Sequence, residues 1–192
     1  MVSTAIKEAT KSAHQQLEKT VVMRLKGIRS QADYADVLKH FYAYFSAVEQ
    51  AIAPFITSGV LPDYASRRNA SHIRQDIVDL GENVDTLPAA KAPNIQSVAE
   101  AFGALYVLEG SIMGGPYIVQ MLKKYGMETG FSFFSGYGES TGQRWAAFTE
   151  RMNELVVEPA DVAALMKTGE ETFARFEDVF AGSTKEQASL SV

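Results

Sequence analysis

The stretch LEGSIMGGPYIVQMLKKYG, residues 108–126, is the part of this chain that most restricts its fold. Its apolar residues recur at helical spacing, but Gly110, Gly114 and Gly115 fall within six residues. Each glycine costs a helix about 1 kcal/mol relative to alanine. Two uses would offset that cost: close packing against another helix, or a kink whose bare backbone lies against a flat ligand. The sequence leaves both uses open, while the charged Glu109 excludes a membrane-dimer motif.

The rest of the chain has the same helical pattern. Apolar residues recur three and four apart over most of the 192 residues, and no long stretch alternates as a strand does. A hydrophobic content of 46% suits one compact core. We therefore predict an all-α, single-domain fold over residues 1–182, followed by a flexible tail over residues 183–192.

Helix boundaries are predicted from capping residues, glycines and prolines. Ser3, Ser30 and Asn94 are the expected N-caps of three helices, and Thr141 and Pro159 are the expected starts of the last two. The predicted helices are 3–19, 30–54, 64–80, a segment from 94 through the glycine-rich stretch to 126, and two further helices after 141 and 159.

Composition excludes several classes of protein. The formal net charge is −5 and the chain has no basic run, so we expect no nucleic-acid partner. The absence of cysteine excludes disulfides, thiolate metal sites and a cysteine nucleophile. No segment approaches the roughly 18 uncharged apolar residues of a membrane span, and the N-terminus lacks a signal-peptide pattern. We therefore expect no membrane span and a cytoplasmic location.

A polar stripe on the first predicted helix is the second notable feature. Lys7, Lys11, His14 and Glu18 fall within roughly 60° of one another at about 100° per residue. The stripe borders the apolar side, which places His14 at the edge of the core. A lone histidine at such a position is often an ordinary boundary residue. One imidazole is nevertheless enough to hold a haem iron from one side, and two cations on the same face can pair with its propionates.

Four stretches, taken in order, resemble the haem oxygenase family over about Lys7 to Phe180. They are KEATKSAHQQLE (7–18), LEGSIMGGPYIVQMLKKYG (108–126), FTERMNEL (148–155) and EETFARFEDVF (170–180). The resemblance implies a helical fold with haem between a proximal N-terminal helix and a kinked distal helix. It also implies cleavage of haem to biliverdin, ferrous iron and carbon monoxide with O2. The electrons would come from a ferredoxin or a flavoprotein-type donor, and the product would serve iron acquisition or a biliverdin-using photoreceptor.

On the proximal side, the resemblance assigns a role to each residue of the polar stripe. His14 matches the ligand of the haem iron, and Glu18 matches the carboxylate that steadies the histidine ring. Lys7 and Lys11 match basic positions near the propionates.

On the distal side, Gly110, Gly114 and Gly115 match the glycines that lie over the haem face. Gly110, Ser111 and Gly114 are the expected catalytic positions. Ser111 stands where animal members of the family have a carboxylate that organises water, while bacterial members are similar to this chain in having Gly-Ser. The route by which protons reach the site is therefore left open.

A second departure lies on the last helix. Glu170 and Glu171 occupy a region where basic residues would help bind propionates, and Arg175 need not be in register to replace them. These departures keep a second hypothesis open, a haem-binding carrier or sensor with the same fold and little ring-opening activity. A third hypothesis, a helical domain that acts on another small molecule, predicts no affinity for haem.

Other ring-bearing residues are expected to have structural roles. We predict His40 to be a helix-boundary residue and His72 a surface residue. Trp145 and the phenylalanines of residues 131–134 are predicted to anchor the core or a loop rather than to stack on haem.

Overall fold

The computed structural model describes the backbone of residues 1–189 and the side chains of residues 1–181. This part of the chain contains no β-strand, which confirms the predicted all-α fold. Its α-helices are α1 (Val2–Ala9), α2 (Lys11–Lys26), α3 (Gln31–Ile52), α4 (Ala70–Asp79), α5 (Val98–Gly110), α6 (Gly115–Lys124), α7 (Thr141–Leu155) and α8 (Pro159–Ser189). Short 3-10 turns form at Tyr64–Ser66, Ser111–Met113 and Gly138–Ser140.

Helix α8 is the central element, and α1 and α2 run along it in the same direction. Contacts occur in the same order along both segments: Ile6 with Gly169, His14 with Phe173, and Arg24 with the carbonyl oxygen of Phe180. The two ends of the chain therefore pack side by side along most of the length of α2.

Helices α5 and α8 cross at close range through two glycines. A Cβ added to Gly103 would lie 2.3 Å from the carbonyl oxygen of Leu165 and 3.2 Å from the nitrogen of Gly169. A Cβ added to Gly169 would lie 3.1 Å from both Ile6 and Thr10. One crossing point on α8 therefore fixes both the start of α2 and the position of α5, which leads into the glycine-rich stretch.

Helix α3 covers another side of α8 with aromatic rings. The Tyr44 hydroxyl donates a hydrogen bond to the carbonyl oxygen of Thr172 at 2.6 Å, and the Tyr44 ring stacks on Phe176 at 4.7 Å. His40 is buried and stacks on Phe180 at 4.9 Å. The prediction of a boundary position for His40 is therefore wrong, because an aromatic ring of α8 covers it.

The first predicted helix is divided at Thr10 and ends later than expected, at Lys26. The buried Thr10 hydroxyl donates to the carbonyl oxygen of Ile6 at 2.7 Å, a bond that bends helices. Ser3, the predicted N-cap, lies inside α1 rather than before it.

Two other helices also begin at residues that differ from the prediction. Asn69 caps α4 by accepting a hydrogen bond from Ser71, so this helix begins at Ala70 rather than at residue 64. Ser97, not Asn94, caps α5 by accepting from the Glu100 nitrogen at 3.2 Å. In both cases the helix starts later in the sequence than predicted, after a residue that was not chosen as its cap.

The predicted starts at Ser30, Thr141 and Pro159 are confirmed to within one residue. The backbone of α8 is helical to Ser189, and residues 190–192 lie outside the described part, so the flexible tail stays a prediction. His72 is exposed, as predicted. Along the described helices, none combines the length and apolar character needed to cross a membrane.

Candidate functional site

The helix is interrupted within the glycine-rich stretch, as the resemblance implies, but the glycines have different structural roles. A Cβ added to Gly115 would lie 2.0 Å from the carbonyl oxygen of Phe134, so packing requires this glycine. A Cβ added to Gly114 would have only one non-adjacent atom within reach, the carbonyl oxygen of Ser111, at 4.0 Å. Gly114 has a φ of −83°, which any residue adopts. Close packing thus explains Gly115, whereas open space lies beside Gly114.

The open space beside Gly114 belongs to an exposed apolar face. Met113 is 52% exposed and Tyr117 is 63% exposed. Gly114 is exposed between them, at the start of α6, and Gly110 is half-buried at the end of α5. A Cβ on Gly110 would make only ordinary contact, 3.7 Å from Trp145. This face combines bare backbone with large apolar side chains that the fold does not bury.

Arg68 supports the turn from behind, a role that the sequence analysis missed. Only 8% of this residue is exposed. Its guanidinium donates to the carbonyl oxygens of Leu108 (2.9 Å) and Phe133 (3.1 Å) and to Ser111 Oγ (2.7 Å). It also lies over the Phe133 ring at 4.0 Å. Burial lowers the pKa of Arg68 to about 10, so the side chain stays charged at neutral pH.

The Ser111 hydroxyl is committed to bonds within this turn. It donates to the carbonyl oxygen of Leu108 at 2.6 Å and accepts from Arg68. A hydroxyl has one proton to donate. In this arrangement the proton of Ser111 is used to close the turn rather than directed at the exposed face.

Glu109 is a buried carboxylate directly before Gly110. Its Oε2 accepts from Arg67 Nη1 at 2.5 Å, and Arg67 is also buried. The Tyr137 hydroxyl donates to Glu109 Oε1 at 3.0 Å. Asp63 holds Arg67 from the other side through two bonds of 2.9 Å. The buried charge therefore has partners on two other segments of the chain.

Glu49 is a further carboxyl group in the same region. It accepts a hydrogen bond from the Ala70 nitrogen, at the start of α4, at 2.8 Å. Burial raises the pKa of Glu49 to about 7, and the charge of Glu109 acts in the same direction. The bond from Ala70 and the charge of Arg68 oppose this shift.

On the proximal side, His14 lies exposed at the end of the first turn of α2. Its ring meets the buried Phe173 ring edge-on, with centroids 5.3 Å apart and an angle of 76°. Phe173 therefore limits the orientation of the imidazole while leaving it accessible to a ligand. Glu18 is exposed one turn later, and in the described part of the chain no hydrogen bond joins it to His14. The steadying contact predicted for Glu18 is absent from this arrangement.

The two predicted propionate cations, Lys7 and Lys11, are exposed on either side of the bend at Thr10. Neither forms an ion pair with another described residue. On α8, by contrast, Arg175 pairs with Glu171 at 2.7 Å. Among the described cations of the predicted site, Lys7 and Lys11 are therefore the ones without an ion pair.

The proximal and distal groups both extend from the crossing on α8. His14 follows Thr10 by one turn, and Gly110 follows Gly103 by two turns. Together they offer one exposed imidazole, two cations, and an apolar face with bare backbone. These groups fit haem, which is flat, carries an iron that one imidazole can hold, and has two carboxylates.

Known proteins are similar to this chain in both sequence and fold. Residues 1–182 match the family model described as heme oxygenase. A heme oxygenase of Xanthomonas campestris pv. campestris is 28% identical over 154 residues, which are 79% of this chain and 91% of that protein. Heme oxygenase PigA of Pseudomonas aeruginosa is 25% identical over 174 residues, covering 88% of this chain and 86% of that protein.

Solved structures with the same fold include two heme oxygenases. The NO- and CO-bound heme oxygenase of Neisseria meningitidis matches with a TM-score of 0.80 at 24% identity, over 94% of this chain and 90% of that one. Heme oxygenase-1 of the cyanobacterium Synechocystis, in complex with heme, matches with a TM-score of 0.72 at 18% identity, over 99% and 96%. At these identities the likeness establishes the fold.

Proposed function

Because this chain belongs to the heme oxygenase family, we propose that it cleaves haem to biliverdin, ferrous iron and carbon monoxide. Haem is then the substrate and also the group that activates O2. The electrons come from a separate ferredoxin or flavoprotein-type donor. The reaction needs the ring to be seated with one face on an imidazole and the other open to oxygen.

The observation that carries this proposal is the open space beside Gly114. The backbone conformation does not require a glycine there, since φ is −83°. Packing does not require one either, because the carbonyl oxygen of Ser111 would be 4.0 Å from an added Cβ. The neighbouring Met113 and Tyr117 are large, apolar and exposed. A flat ligand that approaches the backbone closely explains all three features.

His14 is the proposed ligand of the haem iron. Its exposed ring has room for an axial bond, and Phe173 holds the ring edge-on. With haem bound, a neutral imidazole would supply less electron density to the iron than a thiolate, so the O–O bond would break as the terminal oxygen is transferred to the porphyrin rather than before that transfer. Lys7 and Lys11 are the proposed partners of the propionates, because both are exposed and unpaired among the described residues.

On the distal side, the backbone of Gly110 and Gly114 limits the path of the oxygen to the haem ring. It thereby restricts which meso carbon the oxygen can reach. Gly115 contributes indirectly, because its contact with Phe134 holds α6 in place. The proton of Ser111 is bonded to Leu108, so we expect pocket water to supply protons to the reaction. Ser111 then acts by shaping the turn.

The electron donor is expected to approach the first two helices. Four lysines are exposed on these helices, so the region is locally basic. The chain as a whole is acidic, with a formal charge of −5. An acidic redox protein fits such a surface, and attraction between opposite charges would speed its association. The lysines are Lys7, Lys11, Lys19 and Lys26.

A haem carrier or sensor is the second candidate function. Two observations favour it: the Ser111 hydroxyl is bonded to Leu108, and Arg175 is bonded to Glu171. These contacts remove a possible proton donor and a possible propionate partner from the site. Such a protein would bind haem tightly but would not open the ring.

One series of absorption measurements separates these functions. The purified protein is titrated with haemin and then given O2, NADPH, ferredoxin and its reductase, with catalase present to remove free hydrogen peroxide. We expect binding near one to one, loss of the Soret band, and a bilin product whose mass matches biliverdin. A stable Soret complex without bilin supports the carrier or sensor instead. No Soret shift on titration contradicts both and favours a different small molecule.

A further inference from the structure

We infer that Glu109, held by Arg67 and Tyr137, is a positioning residue that sets the orientation of the turn at residues 110–114 over haem and thereby determines which meso carbon is cleaved. This inference rests on the proposed function. The roles of the glycines explain how haem fits against the turn. They do not explain what holds a turn with so many glycines in one orientation.

The location of Glu109 is unfavourable for an ordinary structural residue. The carboxylate is 2% exposed and lies in the last turn of α5, where the helix dipole disfavours negative charge. Burying a charge is costly unless it is paired and hydrogen-bonded. A buried apolar residue, such as the neighbouring Leu108, would complete the core without that cost.

The bonds of Glu109 connect the end of α5 to three other segments. Arg67, bound to Oε2 at 2.5 Å, is held by both carboxylate oxygens of Asp63 and donates to the carbonyl oxygen of Arg144 at the start of α7. Tyr137, bound to Oε1, precedes the Gly138–Ser140 turn. The direction of the chain at Glu109 is therefore fixed by residues distant in sequence.

The turn is held at both ends, and between them Arg68 holds only Ser111. Glu109 fixes its first end, while the tight contact between Gly115 and Phe134 fixes its second. Between these points lie two glycines with little steric restriction, Gly110 and Gly114. Loss of the charge on Glu109 would let the first end shift, and the face presented to the ring would rotate with it.

The test compares Glu109→Gln with Glu154→Gln. The glutamine at 109 keeps the size of the side chain and one acceptor oxygen but loses the charge. Glu154 is a matched control, since its carboxylate pairs with Arg151 at 2.9 Å on the exposed side of α7. Biliverdin isomers are separated by liquid chromatography after single-turnover and steady-state reactions. Haemin affinity and thermal unfolding are measured on the same samples.

We expect Glu109→Gln to bind haemin within about threefold of the wild type but to change the ratio of biliverdin isomers at least threefold. Glu154→Gln should keep the wild-type ratio. Tyr137→Phe removes one bond to Glu109 and leaves the ion pair, so it should change the ratio in the same direction by less. This variant also serves as the test if Glu109→Gln does not fold. An unchanged isomer ratio in the folded variants overturns the inference, whatever happens to stability.

Failure of the proposed function is recognisable separately. If the wild type forms no bilin, amide hydrogen exchange of the haem-free proteins takes the place of the isomer ratio. Exchange across residues 110–115 that is at least threefold faster in Glu109→Gln than in Glu154→Gln supports the positioning role. Equal exchange in the two variants overturns it.

Discussion

Replacing each of two adjacent glycines by alanine separates the packing use of the glycine-rich stretch from its proposed ligand use. In Gly115→Ala the new methyl group would lie 2.0 Å from the carbonyl oxygen of Phe134. The backbone segments must then move apart by about 1 Å, and overpacking of this kind costs about 1–3 kcal/mol or more. We expect the free energy of unfolding to fall by about 3 kcal/mol.

Gly114→Ala should behave in the opposite way. Its methyl group would lie 4.0 Å from the carbonyl oxygen of Ser111, which is an ordinary van der Waals contact. The gain of about 0.4–1 kcal/mol from a less flexible unfolded chain is partly offset, because alanine is a poorer N-cap of α6 than glycine. The free energy of unfolding should therefore stay within about 1 kcal/mol of the wild type. If haem lies against this backbone, the methyl group separates the two, and haemin binding should weaken about tenfold, or about 1.4 kcal/mol.

Urea denaturation and haemin titration measure the two effects on the same preparations. Gly142→Ala is the control, because its methyl group meets nothing within 4 Å and the residue lies on α7 rather than in the glycine-rich stretch. It should leave haemin affinity unchanged. Wild-type haemin affinity, turnover and product isomer in Gly114→Ala would refute the assignment of this face to haem. Equal instability of Gly114→Ala and Gly115→Ala would refute the distinction drawn from the space around them.

Three further substitutions test other groups. His14→Ala should lose nearly all turnover and change the Soret spectrum, with partial recovery on adding imidazole; an unaltered spectrum would show that another residue binds the iron. Ser111→Ala should keep turnover within about threefold, because the hydroxyl proton is already bonded to Leu108; a loss of about a hundredfold, typical of a proton donor, would contradict this. Glu49→Gln tests a pH effect: burial raises the pKa of Glu49 from 4.5 to about 7, so the folded protein binds this proton more tightly than the unfolded chain does. The contribution of Glu49 to stability is therefore full below about pH 4.5 and is lost as the pH rises through about 7. Between pH 5 and pH 8 the stability of the wild type should fall by roughly 1–3 kcal/mol relative to the variant, measured by urea denaturation; a constant difference would refute this.

The helical architecture could be predicted from the sequence because its determinants are local. Ser30 accepts the bond from Asp33 that caps α3, and Pro159 occupies the first turn of α8. Spacing of apolar residues predicted helix on both sides of the glycines, and the resemblance implied the kink; the α-helical parts end at Gly110 and resume at Gly115. Errors arose where several capping residues stood near each other, as with Asn94 and Ser97.

The supports of the candidate site could not be predicted, because they depend on residues far apart in sequence. Arg68 and Ser111 are separated by 43 positions, and Arg67 and Glu109 by 42. The sequence predicted a surface position for His72 and gave no sign that Arg67 and Arg68, a few positions earlier, are buried. Burial of a charged residue is decided by partners that only the fold brings together.

The adjacent glycines illustrate the same limit on a smaller scale. Gly114 and Gly115 are adjacent in sequence, and the resemblance matches both of them to glycines that lie over the haem face. The carbonyl oxygen of Phe134, from the loop before α7, makes one of them a packing residue. The other is left open to a ligand.

The parallel packing of the N-terminal helices on α8 has a consequence for synthesis of the protein. Gln16 and Arg24 bond to residues 161 and 156 positions later in the chain. On the ribosome, α2 leaves the exit tunnel long before its partner is made, so the proposed iron ligand cannot acquire its contact with Phe173 until the last helix has emerged. A nascent chain that stops short of α8 is thus unable to complete the proximal half of the site. We therefore expect haem to be captured only after α8 has been synthesised.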